Sequence, residues 1–215
     1  MLERFTWFWQ SAYRWSADGL TVYLDPRNVP EGYDPADAIF ITHAHFDHFN
    51  QDDIELLRKE DTVIVAPRDV ASELSGDVVA VAPGDDVDVK GVKGQAVPAY
   101  NIAPDRLDKH PKENGWVGYM LSLGDLTIYH AGDTDHLPEL EAIDARLAFV
   151  PIGGTFTMDA REAAEFTKAL SPEIAVPMHY GFVEGCGGPD AAETYRELAQ
   201  PVRVDILDPQ QPFEL

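Results

Sequence analysis

The stretch Ala38-Ile-Phe-Ile-Thr-His-Ala-His-Phe-Asp-His48 decides how this chain of 215 residues folds and what it does. Ala38 to Thr42 is an apolar, β-favouring run that reads as a buried strand, and His43, His45, Asp47 and His48 follow it at once. Alternate residues of a strand share one side, so a strand running on to His43 points His43 and His45 at one ion. The turn after it brings Asp47 and His48 towards a second position. With 7 His in the chain, independent placement yields His-x-His-x-Asp-His with a chance of roughly 0.0008. A single histidine here would read as a hydrogen-bonded residue at a strand end. Four ligand-type side chains within six positions favour metal instead.

Two further strand ends supply the same chemistry. His130-Ala-Gly-Asp-Thr-Asp135 places Asp133 after the strand Leu126-Thr-Ile-Tyr, with Gly132 for a sharp turn, and Pro177-Met-His-Tyr-Gly181 places His179 after Ile174-Ala-Val. Six such residues exceed the needs of one tetrahedral ion, so two divalent ions are expected, with water activated between them. Histidine and carboxylate ligands without cysteine suit Zn, and also Mn, Fe or Ni.

Outward from this centre, the elements alternate. Phe5 to Trp15 and Thr21 to Leu24 read as three antiparallel strands turning at Asp18-Gly19. A short helix over Gln51 to Lys59 follows the histidine segment, then strands Thr62 to Pro67 and Val78 to Pro83 flank a helix starting near Asp69. Short strands from Val87 to Ala99 lead into an irregular loop over Asn101 to Asn114, and a hairpin turns at Gly124-Asp125. The last third reads strand (from Leu147), helix (Asp159 as N-cap, Glu162 three residues on, to Ala169), strand (Ile174 to Tyr180), helix (Pro189 to Gln200) and strand (Val202 to Leu207). Antiparallel hairpins opening each half, followed by β-α alternation, suit two β-sheets packed face to face with helices outside. A doubly wound parallel fold lacks its Gly-x-Gly-x-x-Gly.

Bulk composition narrows the function. The formal charge is −22, from 38 acidic against 16 basic residues, which opposes binding to nucleic acid. With 23 Asp and 6 Lys, the balance fits either a high-salt host or an acidic protein kept soluble by charge. No run approaches the ~20 apolar residues of a membrane span, the N-terminal segment lacks an apolar leader core, and Cys186 is alone. The expectation is a cytoplasmic protein of one domain over residues 1–215, acting on a small molecule, with homo-oligomerisation left open.

Thr42-His-Ala-His-Phe-Asp-His48, His130-Ala-Gly-Asp-Thr-Asp135, Pro151-Ile-Gly-Gly-Thr-Phe-Thr-Met-Asp159, Pro177-Met-His-Tyr-Gly181 and Thr21-Val-Tyr-Leu-Asp-Pro26, taken together, resemble the metallo-β-lactamase superfamily. Within it they are most similar to small hydrolases related to L-ascorbate-6-phosphate lactonase and N-acyl-phosphatidylethanolamine phospholipase D. The resemblance implies a four-layer αββα sandwich of two mixed β-sheets with helices on the outer faces. It also implies a two-metal site at one edge. By motif position, His43 and His45 resemble ligands of a first ion and Asp47, His48 and His179 ligands of a second, with Asp133 the bridge.

Two positions depart from the family pattern. Tyr100-Asn101 stands where another histidine is expected, and His110 in the following loop reads either as a substitute ligand or as a surface or substrate-facing residue. Trp9-Gln10 stands where Gly-His is common, and Gln10 reads either as a pocket-lining amide or as an ordinary strand residue. His130 is a candidate partner of a ligand or a core histidine, His136 a solvent residue, Tyr180 a candidate donor to substrate, and Cys186 either near the metals or simply buried. The loop Gly153 to Met158 either borders the pocket or is a plain turn. The function expected is a hydrolase in which a hydroxide shared by two ions attacks an ester, lactone, amide or phosphodiester, with Asp47 or a metal-bound water passing a proton to the leaving group. The competing readings are a non-catalytic metal-binding protein and a di-iron oxidoreductase.

Overall fold

The aromatic opening folds as an antiparallel meander of β1 (Phe5–Trp9), β2 (Ala12–Ala17) and β3 (Leu20–Leu24) in the computed structural model, which describes residues 1–213. From β3 the sheet continues in parallel through β4 (Ala38–Phe40), β5 (Val63–Pro67) and β6 (Asp77–Val81), giving six strands in sequence order. The second sheet has seven. It runs β7 (Asp86–Val89), β8 (Val92–Pro98), β9 (Val117–Leu123) and β10 (Leu126–His130) antiparallel, then β11 (Leu147–Pro151), β12 (Ile174–Met178) and β13 (Arg203–Val204) parallel. Both sheets are therefore mixed, as the pattern of hairpins and crossovers predicts.

The inner faces meet through aromatic side chains. Phe40 and Tyr119 lie edge to face across the sheets with ring centroids 5.2 Å apart, and Tyr13 packs on Phe149 at 4.5 Å. The Tyr119 hydroxyl donates to the Ile41 carbonyl at 2.8 Å, so the one polar atom that β9 sends inward is satisfied. Helix α1 (Gln51–Leu57) is capped by Asn50, and α2 (Arg68–Ala71) lies on β5 and β6. Helix α3 (Ala160–Leu170) begins with the predicted Asp159–Glu162 capping box and turns Ala163, Phe166 and Thr167 inward. It packs on β11 and on α4 (Pro189–Leu198), where Thr167 and Tyr195 share a hydrogen bond. These are the helices outside the sandwich.

Several predicted strands are shorter than expected, among them β12, which ends at Met178 and not at Tyr180. Only Arg203 and Val204 of the final segment pair with β12. More consequentially, β4 stops at Phe40, so His43 and His45 are not alternating residues of a strand. The ladder ends because a side chain takes over: the Thr42 amide donates to Asp25 Oδ1 and the Thr42 hydroxyl to Asp25 Oδ2, each at 2.7 Å. The chain then turns, with the His48 and Phe49 amides donating to the His45 carbonyl. The histidines converge through that turn.

The loop over residues 101–114 is irregular, as read from the sequence, yet firmly held. The Asn101 amide donates to the His110 carbonyl at 2.9 Å and closes the loop, and Asn101 Nδ2 donates to the carbonyls of Arg106 and Phe156. Buried Asp135 pins the same loop: Oδ2 accepts the amides of Ile102 and Ala103 at 2.7 and 2.8 Å, and Oδ1 accepts Arg106 Nε at 2.6 Å. Arg106 also reaches Glu162. Asp135→Ala strands a buried guanidinium on one remaining partner and frees two amides. We expect opening of residues 102–110 to become easier by about 3 kcal/mol. Amide hydrogen exchange checks this, and unchanged protection across that loop refutes it.

Candidate metal centre

All seven candidate ligands lie at one edge of the sandwich, beyond the C-terminal ends of strands. His43, His45, Asp47 and His48 come from the turn after β4, His110 from the loop between β8 and β9, Asp133 from the turn after β10 and His179 from the residue after β12. They form two groups. Ligand atoms of His43, His45, His110 and Asp133 lie within 4.8 Å of one another, and so do those of Asp47, His48 and His179. Asp133 joins them: Oδ2 is 3.1 Å from His110 Nε2 and 3.0 Å from His179 Nε2, while Oδ1 is 3.3 Å from His48 Nε2. His110, from the irregular loop, is thus one of the four side chains of the first group.

Backbone geometry makes the convergence possible. Gly132, with φ +61°, lets the chain double back after β10, and a Cβ there would sit 3.0 Å from both Thr42 Cβ and the Val117 carbonyl. Gly153 allows a close approach, since a Cβ would lie 2.6 Å from the His179 carbonyl and 3.0 Å from its Nδ1. His179 itself adopts φ 61°, and its amide donates to the Gln10 carbonyl. A side chain in this left-handed region is strained and needs its surroundings to hold it.

The electrostatics show what the centre lacks. Asp47 and Asp133 are buried, and among the described residues no Lys or Arg pairs with either. Burial alone would raise Asp133, but His179 and His48 beside it hold the carboxyl well below the usual range. Burial opposes ionisation of Asp47 too, and His48 and His179 nevertheless bring it down to about 2. In return, His48 is pushed up to about 10 by Asp133, Asp25 and Asp47 against its own burial, and His179 is raised by Asp133 and Asp47. His43 moves the other way, lowered by burial and by the neighbouring His48 charge. Two buried carboxylates thus demand positive charge.

The donor atoms fit metal ions. His48 Nε2, His110 Nε2 and Asp133 Oδ1 are buried without a hydrogen-bond partner, although all belong to the cluster. An orphaned buried acceptor is costly unless a ligand takes it. On the far side of His48, Nδ1 lies 2.7 Å from Asp25 Oδ2, which fixes the tautomer and aims Nε2 into the cluster. The sequence reading quoted Asp25 only within Leu24-Asp25-Pro26. Its signal was a carboxylate at a strand end beside other such ends. Asp135 and Asn101 were also missed as the residues that deliver His110, and Trp116 as a ring packed on His43, His45 and His110.

Beside the ligands lies a cavity of about 210 Å³, lined by His45, Asp47, His110, Asp133 and His179 and by Phe46, Lys109, Phe156 and Val183. Phe156 brings the Gly153–Met158 loop to its border. Several candidates fall elsewhere. Tyr180 is buried against Trp7 and Phe213, so it is a core residue and not a donor to this cavity. His130 is also in the core, with Nε2 on the Ser11 carbonyl, and His136 pairs with Glu141 towards solvent. Gln10 is fully buried behind the centre with Nε2 3.7 Å from Cys186 Sγ, which in turn lies 3.7 Å from His179 Nδ1.

Comparison with known proteins agrees with this geometry. The β-lactamase superfamily domain model matches residues 4–179. A UPF0173 metal-dependent hydrolase of Methanopyrus kandleri is 31% identical over 98% of this chain and 99% of its own, and one of Thermococcus onnurineus is 36% identical over 84% and 82%. A Parabacteroides distasonis structure described as a metal-dependent hydrolase superposes with TM-score 0.85 at 29% identity, covering 96% of this chain and 93% of the other. Among the described residues no helix is long and apolar enough to cross a membrane. The chain belongs to the β-lactamase superfamily and, within it, to the UPF0173 family of metal-dependent hydrolases.

Proposed function

We propose that the centre holds two divalent ions and that the chain, acting as one hydrolase domain, hydrolyses an ester, lactone, amide or phosphodiester of a small molecule. The observation that supports this is Asp133 lying between the two ligand groups, its Oδ2 3.1 Å from His110 Nε2 of one and 3.0 Å from His179 Nε2 of the other, with Oδ1 3.3 Å from His48 Nε2. His43, His45, His110 and Asp133 would hold one ion, and Asp47, His48, His179 and Asp133 the other. Imidazole and carboxylate without thiolate suit zinc, with Mn, Fe and Ni as alternatives. When bound, two such ions lower the pKa of a water and polarise the oxygen of the attacked group.

The chain's own residues do the rest. Asp133 supplies negative charge between two positions that would otherwise repel, and Asp25, 2.7 Å from His48 Nδ1, keeps the ring turned with Nε2 towards the cluster. Asp47 lines the cavity, and its low pKa keeps it ionised throughout the neutral range. It therefore takes a proton before passing one to the leaving group.

Protein loaded with metal and freed of excess is expected to carry about two ions per chain, and Asp133→Ala to lose at least one ion with the larger loss of turnover. Elemental analysis beside an ester and phosphodiester screen tests both. Less than half an equivalent in the parent, or two retained ions and near-normal hydrolysis in the variant, defeats the proposal. His110→Ala is expected to weaken one ion or lower turnover by ~10-fold or more, and Asp25→Asn to do the same at the other ion through His48. Unaltered affinities in a metal titration of these two variants contradict those roles.

Acid should weaken metal binding. In the metal-free centre the raised pKa values keep His48 and His179 protonated at neutral pH, and an ion must displace those protons. The affinity should accordingly climb with pH, by about one log unit per pH unit for each displaced proton, between about pH 6 and 8. Calorimetric titration in buffers of different ionisation enthalpy counts the protons released, and binding without release rules out this protonation scheme.

A further inference from the structure

We infer that the cavity beside the metal centre selects a carboxylic ester, lactone or amide with one compact apolar acyl arm and at most one negative charge, and disfavours phosphodiesters. This rests on the hydrolase reading above and narrows its substrate. Three apolar side chains from three separate loops line the cavity: Phe46 between two ligands, Phe156 after β11 and Val183 after β12. Phe46 is 62% exposed although its neighbours Asp47 and His48 are buried, so a large ring stands in water at the mouth of the site. An apolar arm that covers Phe46 and Phe156 removes this surface from water and contributes about 25 cal/mol for each Å². At about 210 Å³ the space is smaller than the roughly 300–1,000 Å³ of sites for drug-sized ligands, so the arm is short.

Charge decides against the diester. Phosphoryl transfer spreads negative charge over non-bridging oxygens, and sites built for it add several N–H donors or a guanidinium to whatever metal ions they hold. Apart from the candidate metal ligands, Lys109 is the one basic side chain among the described residues on the cavity wall. Arg106, in the same loop, has its Nε on Asp135 and an Nη on Glu162 and does not line the cavity. Lys109 holds only Asp108, at 3.1 Å in an exposed pair, and such pairs are weak enough to yield to a ligand. One cation matches one carboxylate on the substrate. The chain's charge of −22 adds a general repulsion of polyanions.

The experiment compares metal-loaded protein on 4-nitrophenyl acetate, 4-nitrophenyl butyrate, 4-nitrophenyl hemisuccinate and bis(4-nitrophenyl) phosphate, with the rate of metal-stripped protein subtracted. Butyrate ester should exceed acetate ester in kcat/KM by roughly 5–10-fold. Phe46→Ala, at an exposed position that does not endanger folding, and Phe156→Ala should each shrink that ratio towards one. Lys109→Gln should raise KM for the hemisuccinate roughly 5-fold relative to the butyrate. Calorimetry should find butyrate, a product, binding the loaded parent more tightly than acetate and losing that advantage in Phe46→Ala. A diester cleaved faster than every ester, or an acetate-to-butyrate ratio indifferent to both phenylalanines, overturns the inference while leaving a hydrolase. Full metal content with no turnover of any of the four overturns the hydrolase reading itself.

Discussion

Two buried carboxylates without a lysine or arginine partner are the constraint around which this structure is organised. Asp47 and Asp133 are buried, and burial of an ionised carboxylate is tolerated only when positive charge reaches it. In the protein by itself His48 and His179 supply that charge, which is why their imidazoles are held protonated while His43 is driven neutral. Divalent ions bound there would meet the same demand and at the same time engage the orphaned nitrogens of His48 and His110. The need for cations is thus built into the fold and not only into the residue types.

Holding that arrangement requires further carboxylates placed behind it. Asp25 ends β4 by capturing Thr42, and with its other contact fixes His48, so one buried side chain both terminates a strand and aims a candidate ligand. Asp135 performs the corresponding task for the opposite group by tethering the loop that carries His110. The two lie in different sheets, one following β3 and the other following β10, and the centre forms where those edges meet. Backbone strain is found there as well: Gln10, Asp25 and His179 all take positive φ, and each is secured by hydrogen bonds to residues distant in sequence.

The sequence by itself determined the two-sheet pattern, the capped helix after Asp159, and the identities of the ligand candidates, because these follow from local periodicity, turn chemistry and residue spacing. His110 was reachable only as a substitute, since nothing local says which way a loop returns. The extent of β4 was misjudged for a similar reason: Ile41 and Thr42 are good strand formers, and the Asp25 carboxylate that ends the ladder comes from 17 residues earlier. Tyr180, adjacent to a ligand, turned out to serve the aromatic core because a neighbour in sequence points to the opposite side once the backbone turns at His179. What only the tertiary structure decided are contacts between loops: the division of seven side chains into two groups, the orientation of His48 by Asp25, and the grouping of Phe46, Phe156 and Lys109 around one cavity. Such contacts join residues far apart in the chain, and their geometry is set by how two sheets pack, which no local spacing encodes.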